Sequence, residues 1–175
     1  MIRSVDPPAA RAPSLCMSRQ KAQWLSCDAR TLIRLIRLSG SLAVVEFKPD
    51  IILNELTDLP DDVNKIAEFG DLNARIRTEG NQNIIDAARA SGSPKILAQT
   101  VAWELPDGPD ARAVRQLESS VLAEGGVVLS YGQLYGPGTY NEDGIPAEPR
   151  VQIDRAAERT VELLDAPSGV VTITD

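Results

Sequence analysis

Few residue types in this chain are equipped for chemistry. It contains no histidine, which excludes Ser-His-Asp and Cys-His nucleophilic catalysis. Its two cysteines, Cys16 and Cys27, therefore complete neither a zinc site nor a disulfide framework. Asp58, Asp61 and Asp62 are grouped acids, as are Glu142 and Asp143, but both sets read as solvated turns with no ligand partner nearby in sequence. What remains is the stretch Gly125 to Thr139, GGVVLSYGQLYGPGT. There a short apolar run, Val127-Val128-Leu129, breaks into a loop of Gly132, Gly136, Pro137 and Gly138 that carries Tyr131 and Tyr135. Ligands of open α/β sheets bind beyond the carboxyl ends of the strands. A glycine- and tyrosine-rich loop in that place is a natural site wall, and an ordinary turn after a core strand would read the same way.

The elements that must position this loop follow from periodicity. Val127 to Leu129 has no polar alternation, as expected of a strand covered on both faces. Ahead of it, Ala111 to Glu124 is helical by period, with Val114, Leu117, Val121 and Leu122 inward and Gly125-Gly126 as its stop. Upstream, Asp50 to Glu55 (DIILNE) and Lys95 to Thr100 (KILAQT) read as strands. Between them Pro60 opens a short helix over 61–69. Asn73 to Ser91 is a longer helix with Ile76, Gly80, Ile84, Ala87 and Ala88 on one face, stopped by Gly92. Gly80 in a helix interior suggests close packing against a sheet. Tyr140 to Pro149 is a loop. Ile153 to Leu164 is helical, with Ile153, Ala156, Ala157, Val161 and Leu164 inward and Asp154 as its N-terminal charge or cap. Gly169 to Thr174 closes the chain as a strand. This alternation predicts an α/β fold: a Rossmann-like, mostly parallel sheet with helices on both faces.

The N-terminal part has another character. Residues 1–38 hold seven Lys/Arg against two Asp/Glu, whereas the whole chain has 18 against 25 and a net charge of −7. Three prolines and no sustained period mark residues 1–30 as irregular, with a short helix over Thr31 to Leu38 ending at Gly40. Leu42 to Glu46 reads as a strand only three residues before the next one. A parallel pair needs a crossover of about a dozen residues, so these two form a hairpin or one lies outside the main sheet. The division is thus residues 1–40, poorly ordered, and 41–175, a partial Rossmann-like domain. At 43% hydrophobic residues the composition is that of a globular protein. No run approaches the ~20 apolar residues of a membrane span, and no secretory signal is present, so the cytoplasm is the expected location. The acidic body argues against a nucleic-acid partner, since phosphate contacts need clustered cations.

Several segments together resemble the NAD-dependent epimerase/dehydratase family, the extended and atypical short-chain dehydrogenase/reductases. They are PDIILNELTDLP, RTEGNQNIIDAARASG, KILAQTVAW, LSYGQLYGPGTY and VQIDRAAERTVELLDAPSGVVTITD, in that order over residues 49–175. The resemblance implies a Rossmann-type domain binding NAD or NADP and acting on a sugar-like or small carbonyl substrate. It implies that Thr100 stands at the family's catalytic Ser/Thr, bonding a substrate carbonyl or hydroxyl. It places Leu56, Thr57, Thr100, Tyr131 and Gly132 against the cofactor, and Gln99, Trp103 and Tyr135 against the substrate.

This chain departs from the family's pattern in three places. The catalytic Tyr-x-x-x-Lys is absent: aligning Glu118 with the family's acidic residue four beyond that lysine puts Asp110 at the tyrosine position and Val114 at the lysine position. Ser130 stands where an arginine is usual. No strand runs into G-x-x-G-x-x-G, the motif that brings backbone amides to the pyrophosphate; Gly40 is the first glycine. The expectation is therefore an oxidoreductase- or epimerase-like protein impaired in cofactor binding, with residues up to about 48 altered by truncation, a frameshift or a deletion. A non-catalytic dinucleotide- or ligand-sensing relative and an inactive fragment that self-associates to cover a sheet edge are the alternatives.

Overall fold

The computed structural model describes residues 48–92 and 94–175, together with Cys16, Met17 and Val44. Its centre is a sheet built from β1 (Cys16–Met17), β2 (Ile51–Asn54), β3 (Lys95–Val101), β4 (Val127–Tyr131) and β7 (Gly169–Ile173), in the order β1-β2-β3-β4-β7. Strands β2, β3, β4 and β7 are mutually parallel, and β1 meets β2 antiparallel. Two further strands, β5 (Gln133–Tyr135) and β6 (Arg150–Gln152), form a separate parallel pair. The predicted mostly parallel α/β sheet is thus observed. The expectations for residues 1–15 and 18–43 lie outside the described residues. So does most of the predicted strand Leu42 to Glu46; at Val44 the backbone is helical, and its carbonyl accepts from the Lys48 N–H at 2.9 Å.

One helical run spans β2 and β3 and changes pitch along its length. Asp62 caps it, its carboxylate accepting from the Asn64 N–H at 3.0 Å. A 3-10 segment, Val63–Phe69, leads into α1 (Gly70–Arg75), a π turn over Ile76–Gly80, and α2 (Asn81–Ala90). Within the π turn, Thr78 donates its hydroxyl to the Ala74 carbonyl at 3.0 Å, a back-bond that loosens the backbone ladder. The expected inward face (Ile76, Gly80, Ile84, Ala87, Ala88) is buried. Gly80 is not a point of close sheet approach, however: a Cβ there would meet only Ile76, at 3.7 Å.

Helix α3 (Pro109–Ala123) ends in a Schellman turn. Gly125 has φ +71°, the Gly125 N–H reaches the Leu122 carbonyl at 3.0 Å, and the Gly126 N–H reaches that of Val121 at 2.9 Å. Gly126 must also lack a side chain, since a Cβ would lie 2.6 Å from the Ile96 carbonyl oxygen.

Helix α4 (Ile153–Glu162) covers the other face and corrects the predicted orientation. Ala156 and Thr160 are buried, whereas Ala157 is exposed and Val161 is 60% exposed. The inward line runs Ala156, Thr160, Leu163 and Leu164, turned away from the apolar Ala157 and Val161. Its cap is Gln152, whose Oε1 accepts from the Asp154 and Arg155 N–H groups at 2.7 and 3.0 Å; Asp154 sits in the first turn instead.

Two apolar clusters sandwich the sheet. One joins Ile52, Ile96, Ala98 and Val128 to Ile84, Ile85, Leu117 and Val121 of α2 and α3. The other joins Ile51, Leu97, Leu129, Tyr131 and Ile173 to Val151 and Ala156. Among the described residues no helix is long and apolar enough to cross a membrane.

Candidate active site

The parallel register brings the carboxyl ends of β2, β3 and β4 side by side. Alternation along each strand assigns the residues there to two faces. Asn54, Thr100 and Ser130 follow Ile52, Ala98 and Val128 onto the α2/α3 face, and Thr100 pairs directly with Ser130. Glu55, Gln99, Val101 and Tyr131 belong to the α4 face. The two faces solve their polar groups in different ways.

On the α2/α3 face Asn54 is bonded at both ends of its amide. Its Nδ2 donates to Asn81 Oδ1 at 2.9 Å and its Oδ1 accepts the Leu56 N–H at 3.2 Å. Asn81, 1% exposed, passes the chain on to Ser120 Oγ at 2.9 Å, which donates to the Leu117 carbonyl. Beside this closed network Thr100 is left open: it is 0% exposed and its Oγ1 has no hydrogen-bond partner. A buried hydroxyl without a partner costs about 1–3 kcal/mol, so the fold maintains an unmet donor and acceptor at the end of its central strand.

A second unmet atom lies at the start of α3. Asp110 Oδ1 is buried without a partner, and a Cβ added to Gly70 would stand 3.5 Å from its Oδ2. Arg77, in the π turn and 6% exposed, is the compensating charge. Burial pulls its guanidinium below the ordinary arginine range, while Asp110 and Glu118 on α3 draw it back.

On the α4 face three oxygens line up. The Tyr131 hydroxyl lies 3.3 Å from Glu55 Oε1 and in hydrogen-bond contact with Thr160 Oγ1, and Thr160 donates to the Ala156 carbonyl at 2.7 Å. Burial raises the Glu55 carboxyl above the ordinary glutamate range, partly offset by the tyrosine hydroxyl. Burial, then the neighbouring Glu55 charge, pushes the Tyr131 phenol above its usual range. Above the sheet, the Tyr140 hydroxyl donates to the Pro60 carbonyl, linking the loops that follow β5 and β2.

The residues singled out from the sequence are therefore spread over distinct surroundings. Thr100 and Leu56 are buried on the α2/α3 side, where Leu56 is core. Thr57 lies half-buried in the loop after β2. Tyr131 and Gln99 share the opposite face, so Thr100 and Tyr131 do not converge through the sheet. The smallness of Gly132 answers to packing, since a Cβ would lie 2.6 Å from the Arg150 nitrogen. Trp103 is exposed in the loop after β3. Tyr135 belongs to β5 rather than to a loop, and its hydroxyl donates to Asp175 Oδ2 at 2.8 Å. Sequence reasoning missed Glu55, Arg77, Asn81 and Thr160. Glu55 alone left a signal, a charged residue directly ending an apolar strand.

No family model matches the chain. Among curated proteins it is 36% identical to a 3-diazoavenalumate denitrifying reductase of Streptomyces sp., over 58% of this chain and 41% of that protein. Among solved structures, the dTDP-4-dehydrorhamnose reductase of Clostridium acetobutylicum superposes with a TM-score of 0.66 at 18% identity, covering 86% of this chain and 64% of that one. The UDP-glucose 4-epimerase of Thermus thermophilus, solved with NAD, gives 0.64 at 17%, covering 87% and 63%. This chain has the Rossmann-like α/β fold of these solved reductase and epimerase structures. It spans less than two thirds of the length of each of these proteins. The family resemblance read from its segments and the Rossmann-like fold read from its periodicity both hold.

Proposed function

We propose that the chain supplies the nicotinamide- and substrate-facing end of an NAD(P)-dependent reductase- or epimerase-like protein acting on a small electrophilic substrate, sugar-like or carbonyl-like. The observation that carries this reading is the Thr100 hydroxyl, fully buried and unpartnered at the carboxyl end of the central strand. A substrate oxygen offered to it would satisfy both, because a threonine hydroxyl donates and accepts. Reduction is favoured over epimerisation by the similarity to a protein named as a denitrifying reductase, whose identity is about twice that of the epimerase and sugar-nucleotide reductase structures reported above.

A dinucleotide fits one end of this arrangement. The strand ends and Thr100 suit its carbonyl-facing side, where a bound reduced nicotinamide would supply hydride. The pyrophosphate side has no matching residues, since the sequence holds no G-x-x-G-x-x-G, and weakened cofactor affinity is part of the proposal. What the chain itself contributes is a hydroxyl to fix the substrate oxygen, a closed Asn54-Asn81-Ser120 network holding β2, α2 and α3 in register, and a covered acidic group, Asp110, where the family places tyrosine.

Titration with NADH and NADPH, followed by fluorescence and calorimetry, tests the reading. Micromolar cofactor binding is the expected result, and binding of a carbonyl substrate to the cofactor complex should weaken about tenfold in Thr100→Val through loss of a hydrogen bond worth ~1.4 kcal/mol. Binding without turnover on any carbonyl substrate would favour a ligand-sensing role. Absence of binding in a cooperatively melting protein would refute the reading.

A further inference from the structure

The three oxygens on the α4 face occupy three hydrogen-bond gaps: Glu55 to Tyr131, Tyr131 to Thr160, and Thr160 to the Ala156 carbonyl. Each gap needs one hydrogen. The carbonyl of Ala156 has none to give, so the last gap takes the hydroxyl hydrogen of Thr160, 2.7 Å from it. That leaves Thr160 only as an acceptor toward Tyr131, whose single hydrogen then fills the middle gap. The first gap is left with two oxygens 3.3 Å apart. With Glu55 ionised, Tyr131 would have to turn its hydrogen to the carboxylate at 3.3 Å and leave its closer contact with Thr160 without one. A protonated Glu55 completes the chain, donating to Tyr131, which donates to Thr160, which donates to the backbone.

We propose that Glu55 is a neutral carboxylic acid at neutral pH, a proton-storing group at the carboxyl end of β2, held in that state by the one-directional Glu55-Tyr131-Thr160-Ala156 chain. Surroundings agree with it. Glu55 directly follows β2 at the carboxyl end of the sheet, where β3 presents Gln99 and Val101 on the same face, neither of which titrates. Among the described residues the titratable group facing it is Tyr131 of β4, with Thr160 of α4 behind, and no cation holds a carboxylate there. Burial raises its proton affinity in the same direction.

A stored proton in this position serves a ligand on the α4 face, opposite the oxygen that Thr100 would hold. Turning its O–H from Tyr131 to a ligand, Glu55 would protonate an oxygen or nitrogen anion. Its O–H bond breaks, one O–H or N–H bond forms on the ligand, and no electrons change hands. The carboxylate left behind is then met by the Tyr131 hydrogen, which swings from Thr160 to Glu55. This use of the proton rests on the reductase-like reading; the protonation state does not.

Glutamate labelled with carbon-13 at the side-chain carboxyl tests the state without any cofactor. One resonance, identified by its loss in Glu55→Gln, is expected to keep the protonated shift at pH 7 and to titrate above the other glutamates. Tyr131→Phe, which removes the acceptor, is expected to move that titration. A Glu55 resonance at the ionised shift at pH 7, titrating with the exposed glutamates, would overturn the proposal. So would indifference of its titration to Tyr131→Phe. Failure of nicotinamide binding would refute the functional reading above and leave this result untouched.

Discussion

Thr100 and Arg77 show how differently a buried polar residue can be justified. Thr100 has no partner, so its hydroxyl is a debt in the folded state unless a ligand meets it. Thr100→Val replaces it with a group of the same shape that needs no partner. Thermal melts of the free protein should show equal or higher stability, by up to ~1 kcal/mol, while ligand affinity falls; a clear loss of stability would mean that the hydroxyl is already satisfied. Arg77 carries the opposite expectation. It is the buried positive charge facing Asp110 and Glu118, and Arg77→Met leaves those acids uncompensated. Urea denaturation should report a loss of about 1 kcal/mol, since the attraction is between a buried guanidinium and two half-buried acids rather than a direct ion pair. The role of Arg77 was unreadable in the sequence and that of Thr100 was reached only through the family resemblance, because each depends on what lies opposite in space. A threonine at a strand end and an arginine in a helix are unremarkable until their neighbours are known.

At the level of elements the sequence was far more legible. Strands β2, β3, β4 and β7 and the three helical covers follow from apolar runs, 3.6-residue periods and glycine stops, because each such signal is local. Two failures were equally physical. Helix α4 was turned wrongly because apolar type was taken as the sign of burial, whereas Thr160 goes inward to bond Tyr131 and Val161 is left in water. The segment Gln133–Tyr135 was read as loop because a three-residue strand has no period to detect, and its partner lies some fifteen residues on, at Arg150–Gln152. The packing of that small pair gives a prediction. A Cβ at Gly132 would lie 2.6 Å from the Arg150 backbone nitrogen, so Gly132→Ala must push β6 away. A loss of about 1–3 kcal/mol is expected, with amide exchange accelerating in residues 133–135 and 150–152 before the main sheet. The contact between elements on the other face predicts more. Asn81→Leu strips the buried Asn54 Nδ2 of its acceptor, while half-buried Ser120 keeps its bond to the Leu117 carbonyl, and one unsatisfied buried group should cost about 1–3 kcal/mol in chemical denaturation.

For the molecule as a whole, carboxylates set the limits of its pH stability from two sides. Asp175 is held below the ordinary aspartate range, chiefly by the Tyr135 hydroxyl and further by the Gln152 N–H, Arg155 and Arg150. Glu124 is held low by its hydrogen bond from Arg89. A group with a lowered folded pKa gives stability above its unfolded pKa and loses it as the pH falls through the folded value, so these two act on the acid limb. Glu55 works in the other sense. Its folded pKa is raised, so the folded state binds more protons than the unfolded chain between the ordinary glutamate range and the raised value. Stability from this group is complete below that range and is lost as the pH rises through the folded pKa. Histidine, the side chain that ordinarily titrates between pH 5 and 8, is absent from the chain. A decline in melting midpoint as the pH rises above the ordinary glutamate range therefore has Glu55 as its natural source. Glu55→Gln, a neutral group of the same shape whose amide N–H still reaches Tyr131, should flatten that decline and leave the acid limb unchanged. A wild-type midpoint already flat across this interval would mean that Glu55 is ionised in both states.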